Sequence, residues 1–345
     1  GDPIERTPGV KKALEGASQK LRRSSRMKNP VVRYGYNEYM AHHYAYMMKV
    51  SEDREPETYA EAAEDPRWIE AMREEMRTLV ENDTWDLVPA SETTPKPIGC
   101  RWVYKIKHNA DGTINRFKAR LVAKGYAQTH GIDYDETFAP VAKMTTVRTM
   151  IAAGTAKGWH LHQMDVKNAF LQGELEEEVY MMQPPGFESR KNPHAIFRLK
   201  KSLYGLKQAP RAWHAKIMQY LHQIGFRMSQ SDNSLYTRNN ATCTLAILLY
   251  VDDLIIGGVD LAVVQKTKSL LSNKFEMKDL GELHYFLGIE VIRTLDGMLL
   301  TQLHYELNLL SKFGMTECKP ISTPLDRNLK LTADCDEVCD TTMYR

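Results

Sequence analysis

Between residues 66 and 313 the spacing of apolar and polar positions switches repeatedly between helical and strand periods. Trp68, Ile69, Met72, Met76 and Leu79 recur at helical spacing, and the helix predicted there starts at Pro66 with Asp65 as its cap. Thr84 to Val88 reads as a strand. Arg101 to Ile106 and Ile114 to Val122 read as two strands around Asn109-Ala-Asp-Gly112, a hairpin turn signal. A helix is predicted over 144–158 and a short strand end over Gln163 to Val166. Trp213, Ile217, Tyr220, Leu221 and Ile224 mark another helix, which Gly225 can close. Leu245 to Tyr250 and Leu254 to Gly257 are apolar runs separated by Val251-Asp252-Asp253. Asp260 caps a helix reaching Phe275, Tyr285 to Arg293 pairs with Met298 to Gln302 around Asp296-Gly297, and a last helix covers about 303–313. Strands and helices mix without regular βαβ spacing, which predicts an α+β fold on an antiparallel sheet.

Composition narrows the class. The 345 residues allow about two compact units, and 43% hydrophobic with 26% charged residues excludes wholesale disorder. No apolar run approaches the roughly 20 residues of a membrane helix, so no membrane partner is expected. The start, Gly-Asp-Pro, lacks both Met and an apolar leader, which suggests a piece of something longer. Five scattered cysteines complete no zinc pattern and suggest reduced thiols in an intracellular protein.

The net charge of +2 conceals local swings. Residues 1–50 carry 10 Lys/Arg against 4 Asp/Glu, residues 51–95 carry 4 against 14, and residues 96–130 carry 8 against 1. Residues 1–65 are therefore expected to be a basic, then acidic, largely disordered linker or tail. The basic stretch over 96–130, inside a folded region, suits contact with phosphates.

The most informative feature is Tyr250-Val-Asp-Asp253, two adjacent carboxylates between apolar strands. An ionised Asp near a core is costly unless paired or metal-bound. A further carboxylate, Asp165, ends the strand Gln-Met-Asp-Val166. Such hard oxygen donors suit two Mg²⁺ or Mn²⁺ ions, with the Val166 main chain as an added ligand. Asp252 and Asp253 would point to opposite faces of an ideal strand. Asp165 and Asp252 are therefore expected as the main ligands, with Asp253 secondary.

With Asp165-Val-Lys-Asn-Ala-Phe170 preceding Tyr250-Val-Asp-Asp253, the chain resembles the reverse transcriptase of copia-type LTR retrotransposons over about residues 66–325. Arg116-Phe-Lys-Ala-Arg-Leu-Val-Ala-Lys-Gly125, Gly131-Ile-Asp-Tyr-Asp-Glu-Thr-Phe-Ala-Pro-Val141, Ser202-Leu-Tyr-Gly-Leu-Lys-Gln-Ala-Pro-Arg211 and Phe286-Leu-Gly-Ile-Glu290 carry the likeness. It implies a right-hand polymerase with fingers, palm and a partial thumb, and makes Asp165, Asp252 and Asp253 catalytic. Residues 326–345 would begin a connection toward ribonuclease H, and Arg22 to Tyr34 resembles the junction after the integrase. Template with primer, dNTPs and the remaining Pol polyprotein are the implied partners.

The resemblance also assigns supporting roles. Phe170 falls where a ring under the incoming sugar would clash with a 2′-hydroxyl; the other reading is a core aromatic. Lys118 and Arg120, sharing one strand face, are candidates for holding the triphosphate. Gly205 would allow close backbone approach to the nucleotide or template. Tyr204 and Gln208 are expected at the nucleotide, and Arg211 and Tyr250 at primer or template. Leu287-Gly288-Ile289 matches a primer-grip hairpin, and Lys278 is a candidate general acid. The expected activity is RNA-directed DNA synthesis. The alternative is an inactive remnant that only binds nucleic acid, and an RNA polymerase is disfavoured by Phe170.

Overall fold

The computed structural model describes residues 54–91, 94–109, 113–239 and 244–319. The expected tail over 1–53, the apex of the first hairpin at 110–112 and the expected connection over 326–345 lie outside the described residues. In chain order the elements are α1 (Tyr59–Ala62), α2 (Pro66–Glu81), β1 (Trp85–Pro89), β2 (Cys100–His108), β3 (Ile114–Ala123), α3 (Met144–Ala156), β4 (His160–Val166), β5 (Glu174–Met181) and β6 (Ala195–Lys201). There follow α4 (Ala209–Gln223), β7 (Arg227–Met228), β8 (Leu235–Asn239), β9 (Thr244–Tyr250), β10 (Asp253–Gly258), α5 (Leu261–Lys274), β11 (Met277–Glu282), β12 (Tyr285–Phe286), β13 (Ile289–Thr294), β14 (Gly297–Thr301) and α6 (Leu303–Lys312). The fold is mixed α/β, and the pairs between these strands are antiparallel.

A six-stranded sheet in the order β11-β4-β10-β9-β8-β7 forms the centre. It is covered on both faces, which explains the unbroken apolar run of β9. Leu245, Ile247 and Leu249 join one core with Trp213 and Ile217 of α4 and Val264 and Leu271 of α5. Ala246 and Leu248 join a second core with Val147 and Met150 of α3 and Phe286 and Val291 of the β12-β13-β14 sheet. A strand buried on both faces loses period-2 alternation, so its apolar run marks the middle of the sheet.

The β2-β3 hairpin packs on α2. Trp68 sets its ring edge-on against Tyr104 at 5.3 Å and Phe117 at 4.8 Å. The expected cap holds: the Asp65 carboxylate accepts from the Arg67 backbone N–H at 2.8 Å. Asp260 likewise accepts from Ala262 N–H at the start of α5.

Three expectations are corrected. Residues 54–65 are not all linker, because α1 forms there and Glu55 accepts from Lys105 at 2.6 Å and from Ile106 N–H at 3.0 Å. Tyr285 to Arg293 is not one strand: Leu287 and Gly288 both have positive φ, 51° and 80°, and turn the chain between β12 and β13. Strands β5, β6, β7, β8 and β11 have no counterpart among the elements expected from spacing. β5 reads Glu-Leu-Glu-Glu-Glu and β11 contains Gly281, compositions that hide a strand.

Candidate active site

β9 and β10 are joined through Val251-Asp252, with Tyr250 and Asp253 paired in register. Val251 has φ 53°, a left-handed backbone that a β-branched residue rarely adopts. Both carbonyls of this turn are held. Trp213 Nε1 donates to Val251 O at 2.6 Å, and Val166 N–H donates to Asp252 O at 2.8 Å. The second bond ties the turn to the residue after Asp165.

Strand register then lines up Lys278, Asp165, Asp253 and Tyr250 across β11, β4, β10 and β9. Asp165 and Asp252 share a cleft of about 410 Å³ with Lys118, Arg120, Lys278 and Glu75. Val166 lines the same cleft. Asp253 does not; its Oδ1 accepts from Gln163 Nε2 at 3.4 Å. Burial first, then the charge of Asp252, pushes the Asp253 carboxyl up to about 6. The same two causes, in the same order, raise Asp165, against the pull of Lys118 and Lys278.

Among the described residues, no group of three or more His, Cys, Asp or Glu is gathered for a metal ion. Two carboxylates are nevertheless held together in one cleft, where the charge of Asp252 disfavours that of Asp165. Mg²⁺ is commonly bound by one or two carboxylates plus waters and substrate phosphates. Asp165 and Asp252 therefore suit a divalent cation that arrives with a triphosphate.

Lys118 and Arg120 project from β3 on the side opposite Ala119 and Leu121, which are buried. Burial, then the charge of Arg120, lowers the Lys118 ammonium. The Arg120 guanidinium lies 4.3 Å over the Tyr204 ring, and Tyr204 meets Phe170 edge-on at 4.6 Å. Phe170 is buried, and neither ring lines the cleft. Tyr204 and Phe170 thus support Arg120 from beneath.

Several expected contacts lie elsewhere. Gln208 is fully buried; it accepts from Gln128 Nε2 at 3.0 Å and donates to Asp133 O at 2.9 Å, so it fastens a protein loop and is not open to a nucleotide. Gly205, at φ 93°, leaves no room for a Cβ beside the Ala123 carbonyl, so its glycine is required by the close approach to β3. Arg211 is paired with Glu177 at 2.8 Å in a separate recess with Glu136 and Glu176, where its charge is already met. Tyr250 and Leu287 pack against the second core, Ile289 is buried, and none of Leu287, Gly288 and Ile289 lines the cleft.

Three participants are not legible as such in the sequence. By spacing, Trp213 marks only a helix core. Gln163 reads only as part of a short strand. Glu75 falls in the stripe Trp68, Met72, Glu75 and Leu79 on α2, and a carboxylate in an apolar stripe was the available sign. Glu75 Oε1 accepts from Leu121 N–H at 3.3 Å, and burial raises its carboxyl despite Lys118 and Arg120 nearby.

Residues 82–327 match the family described as reverse transcriptase (RNA-dependent DNA polymerase). A retrovirus-related Pol polyprotein from transposon RE2 of Arabidopsis thaliana is 44% identical over 303 residues, 88% of this chain and 21% of the relative. One from transposon TNT 1-94 of Nicotiana tabacum is 41% identical over 331 residues, 94% of this chain and 24% of the relative. The transposon Ty1-ER2 Gag-Pol polyprotein of Saccharomyces cerevisiae is 29% identical over 244 residues, 66% of this chain and 13% of the relative. The chain thus spans no more than about a quarter of the length of these relatives.

Proposed function

The chain belongs to the reverse transcriptase (RNA-dependent DNA polymerase) family, and on that premise we propose that it copies RNA into DNA as a domain of a copia-type Pol polyprotein. The observation that carries this reading is the cleft shared by Asp165 and Asp252 with Lys118, Arg120 and Lys278. In the right-hand description, α2 and the β2-β3 hairpin are fingers, the central sheet is palm, and β12 to α6 are part of a thumb. Primed template and dNTPs are the substrates, and integrase and ribonuclease H are the neighbouring parts of the polyprotein.

Asp165 and Asp252, with the Val166 main chain, would hold two Mg²⁺ or Mn²⁺ ions. When bound, these ions neutralise phosphate charge and favour ionisation of the primer 3′-hydroxyl. Lys118 and Arg120 meet the triphosphate from the fingers side, the first as a point charge and the second as a fork. Tyr204 holds the Arg120 guanidinium over its ring. Lys278, opposite Asp165 in register, donates a proton to the departing pyrophosphate. Phe170 lies behind Tyr204 and outside the cleft, so it backs the ring under Arg120 and is not assigned to sugar selection. Catalysis then comes chiefly from positioning and charge stabilisation.

The test is primer extension on an RNA template with Mg²⁺ and dNTPs, beside Asp252→Asn. Extension that Asp252→Asn abolishes supports the reading. Extension that survives the substitution overturns the site, and binding of primed template without turnover, even in a chain extended toward ribonuclease H, identifies an inactive remnant.

A further inference from the structure

Trp213 lies in α4, away from the cleft, yet its indole N–H reaches the turn that carries Asp252. It is 1% exposed, so this N–H has no recourse to water. The bond to Val251 O is short, at 2.6 Å, and it ends on a residue whose backbone, at φ 53°, is unfavourable for valine. Behind the indole a ring stack fixes its position. Phe275 meets it edge-on at 5.3 Å, and Tyr220 meets Phe275 at 5.5 Å. The Tyr220 hydroxyl donates to Leu270 O at 2.8 Å, tying the stack to α5.

A strained turn keeps its geometry only when its surroundings over-determine it. Here Val166 N–H restrains the Asp252 carbonyl from the side of β4, and Trp213 restrains the Val251 carbonyl from beneath. We propose that Trp213 is a positioning residue that sets the height of the turn, so that the Asp252 carboxylate meets Asp165 in one cleft. Phenylalanine could fill the same space but could not hold the carbonyl, so the hydrogen bond and not the bulk is the functional element.

This inference rests on the polymerase reading, and its test separates the two. Trp213 is replaced by 3-benzothienylalanine, which keeps the ring shape and puts sulfur in place of the N–H. The expected result is a loss of about tenfold in kcat, the scale of one buried hydrogen bond, with KM for dNTP within about twofold. Mn²⁺ affinity, followed by water-proton relaxation without substrate, falls in parallel. Thermal stability falls by no more than the few degrees that one lost hydrogen bond costs, and Trp213→Phe reproduces the kcat loss. Unchanged kcat and Mn²⁺ affinity would overturn the proposal, as would a matching loss of kcat and stability with KM also displaced, which marks mere core packing. Failure of primer extension by the parent and by a chain extended toward ribonuclease H would sink the polymerase reading, while the Mn²⁺ measurement would still test the role of Trp213.

Discussion

Asp165 and Asp253 lie directly opposite one another on β4 and β10, yet Asp165 shares its cleft with Asp252 instead. Register puts the first two on one sheet face, while the turn carries Asp252 past the strand end to the cleft. Asp253 is left facing Gln163, half-buried and reluctant to ionise. The two adjacent aspartates are thus inequivalent.

Their inequivalence predicts different losses. Asp165→Asn and Asp252→Asn should each abolish primer extension. Asp253→Asn should retain measurable activity, because a neutral amide preserves its contact with Gln163. Single-turnover extension rates of the three variants decide this, and equal losses at Asp252 and Asp253 would refute the division of roles.

The raised Asp253 carboxyl predicts a pH dependence of the metal-free protein. Its acidity is displaced from 3.8 to about 6 on folding. The stability it contributes is fully present below pH 3.8 and is lost as pH rises through about 6. Between pH 5 and pH 7 the melting temperature of the parent should therefore fall more than that of Asp253→Asn. Thermal scans in chelator give the comparison, and parallel curves would contradict it.

A buried ammonium predicts an asymmetric cost. Lys268 is nearly buried, and its Nζ contacts Asp279 at 2.5 Å and His162 Nδ1 at 3.2 Å, while the Asp279 side chain is 49% exposed. Asp279→Ala strands the ammonium and should cost about 3 kcal/mol. Lys268→Met leaves a carboxylate that water can reach and should cost clearly less. Urea titrations measure both, and the reverse order would be evidence against this account.

Two glycines with similar φ predict different penalties. At Gly205, φ 93°, a methyl group would overlap the Ala123 carbonyl, and Gly205→Ala should cost about 3 kcal/mol. At Gly131, φ 76°, nothing lies within 4 Å of a built Cβ, and Gly131→Ala should cost only about 1 kcal/mol for its backbone. Denaturant midpoints compare them, and equal penalties would mean that steric room does not matter here.

Much of the molecule could be read along the chain, because the information is local. Helix α2 followed from the spacing of Trp68, Met72 and Leu79 and from the Asp65-Pro66 start, and each interaction spans a few residues. The β2-β3 hairpin followed from the turn signal Asn109-Ala-Asp-Gly112 between two strand runs, and alternation placed Lys118 and Arg120 on one face. The aspartates stood out because charge between apolar runs needs a reason. Tertiary structure alone decided the rest. Gln208 looked like a nucleotide contact until Gln128, 80 positions away, claimed it. Arg211 looked like a phosphate ligand until Glu177 on β5 neutralised it. A polar side chain's partner is set by which distant strand folds against it, and no local spacing encodes that choice. The same holds for Asp252. Its sequence neighbour is Asp253, but its place in the cleft depends on a turn that Trp213, 38 residues away, holds by one hydrogen bond.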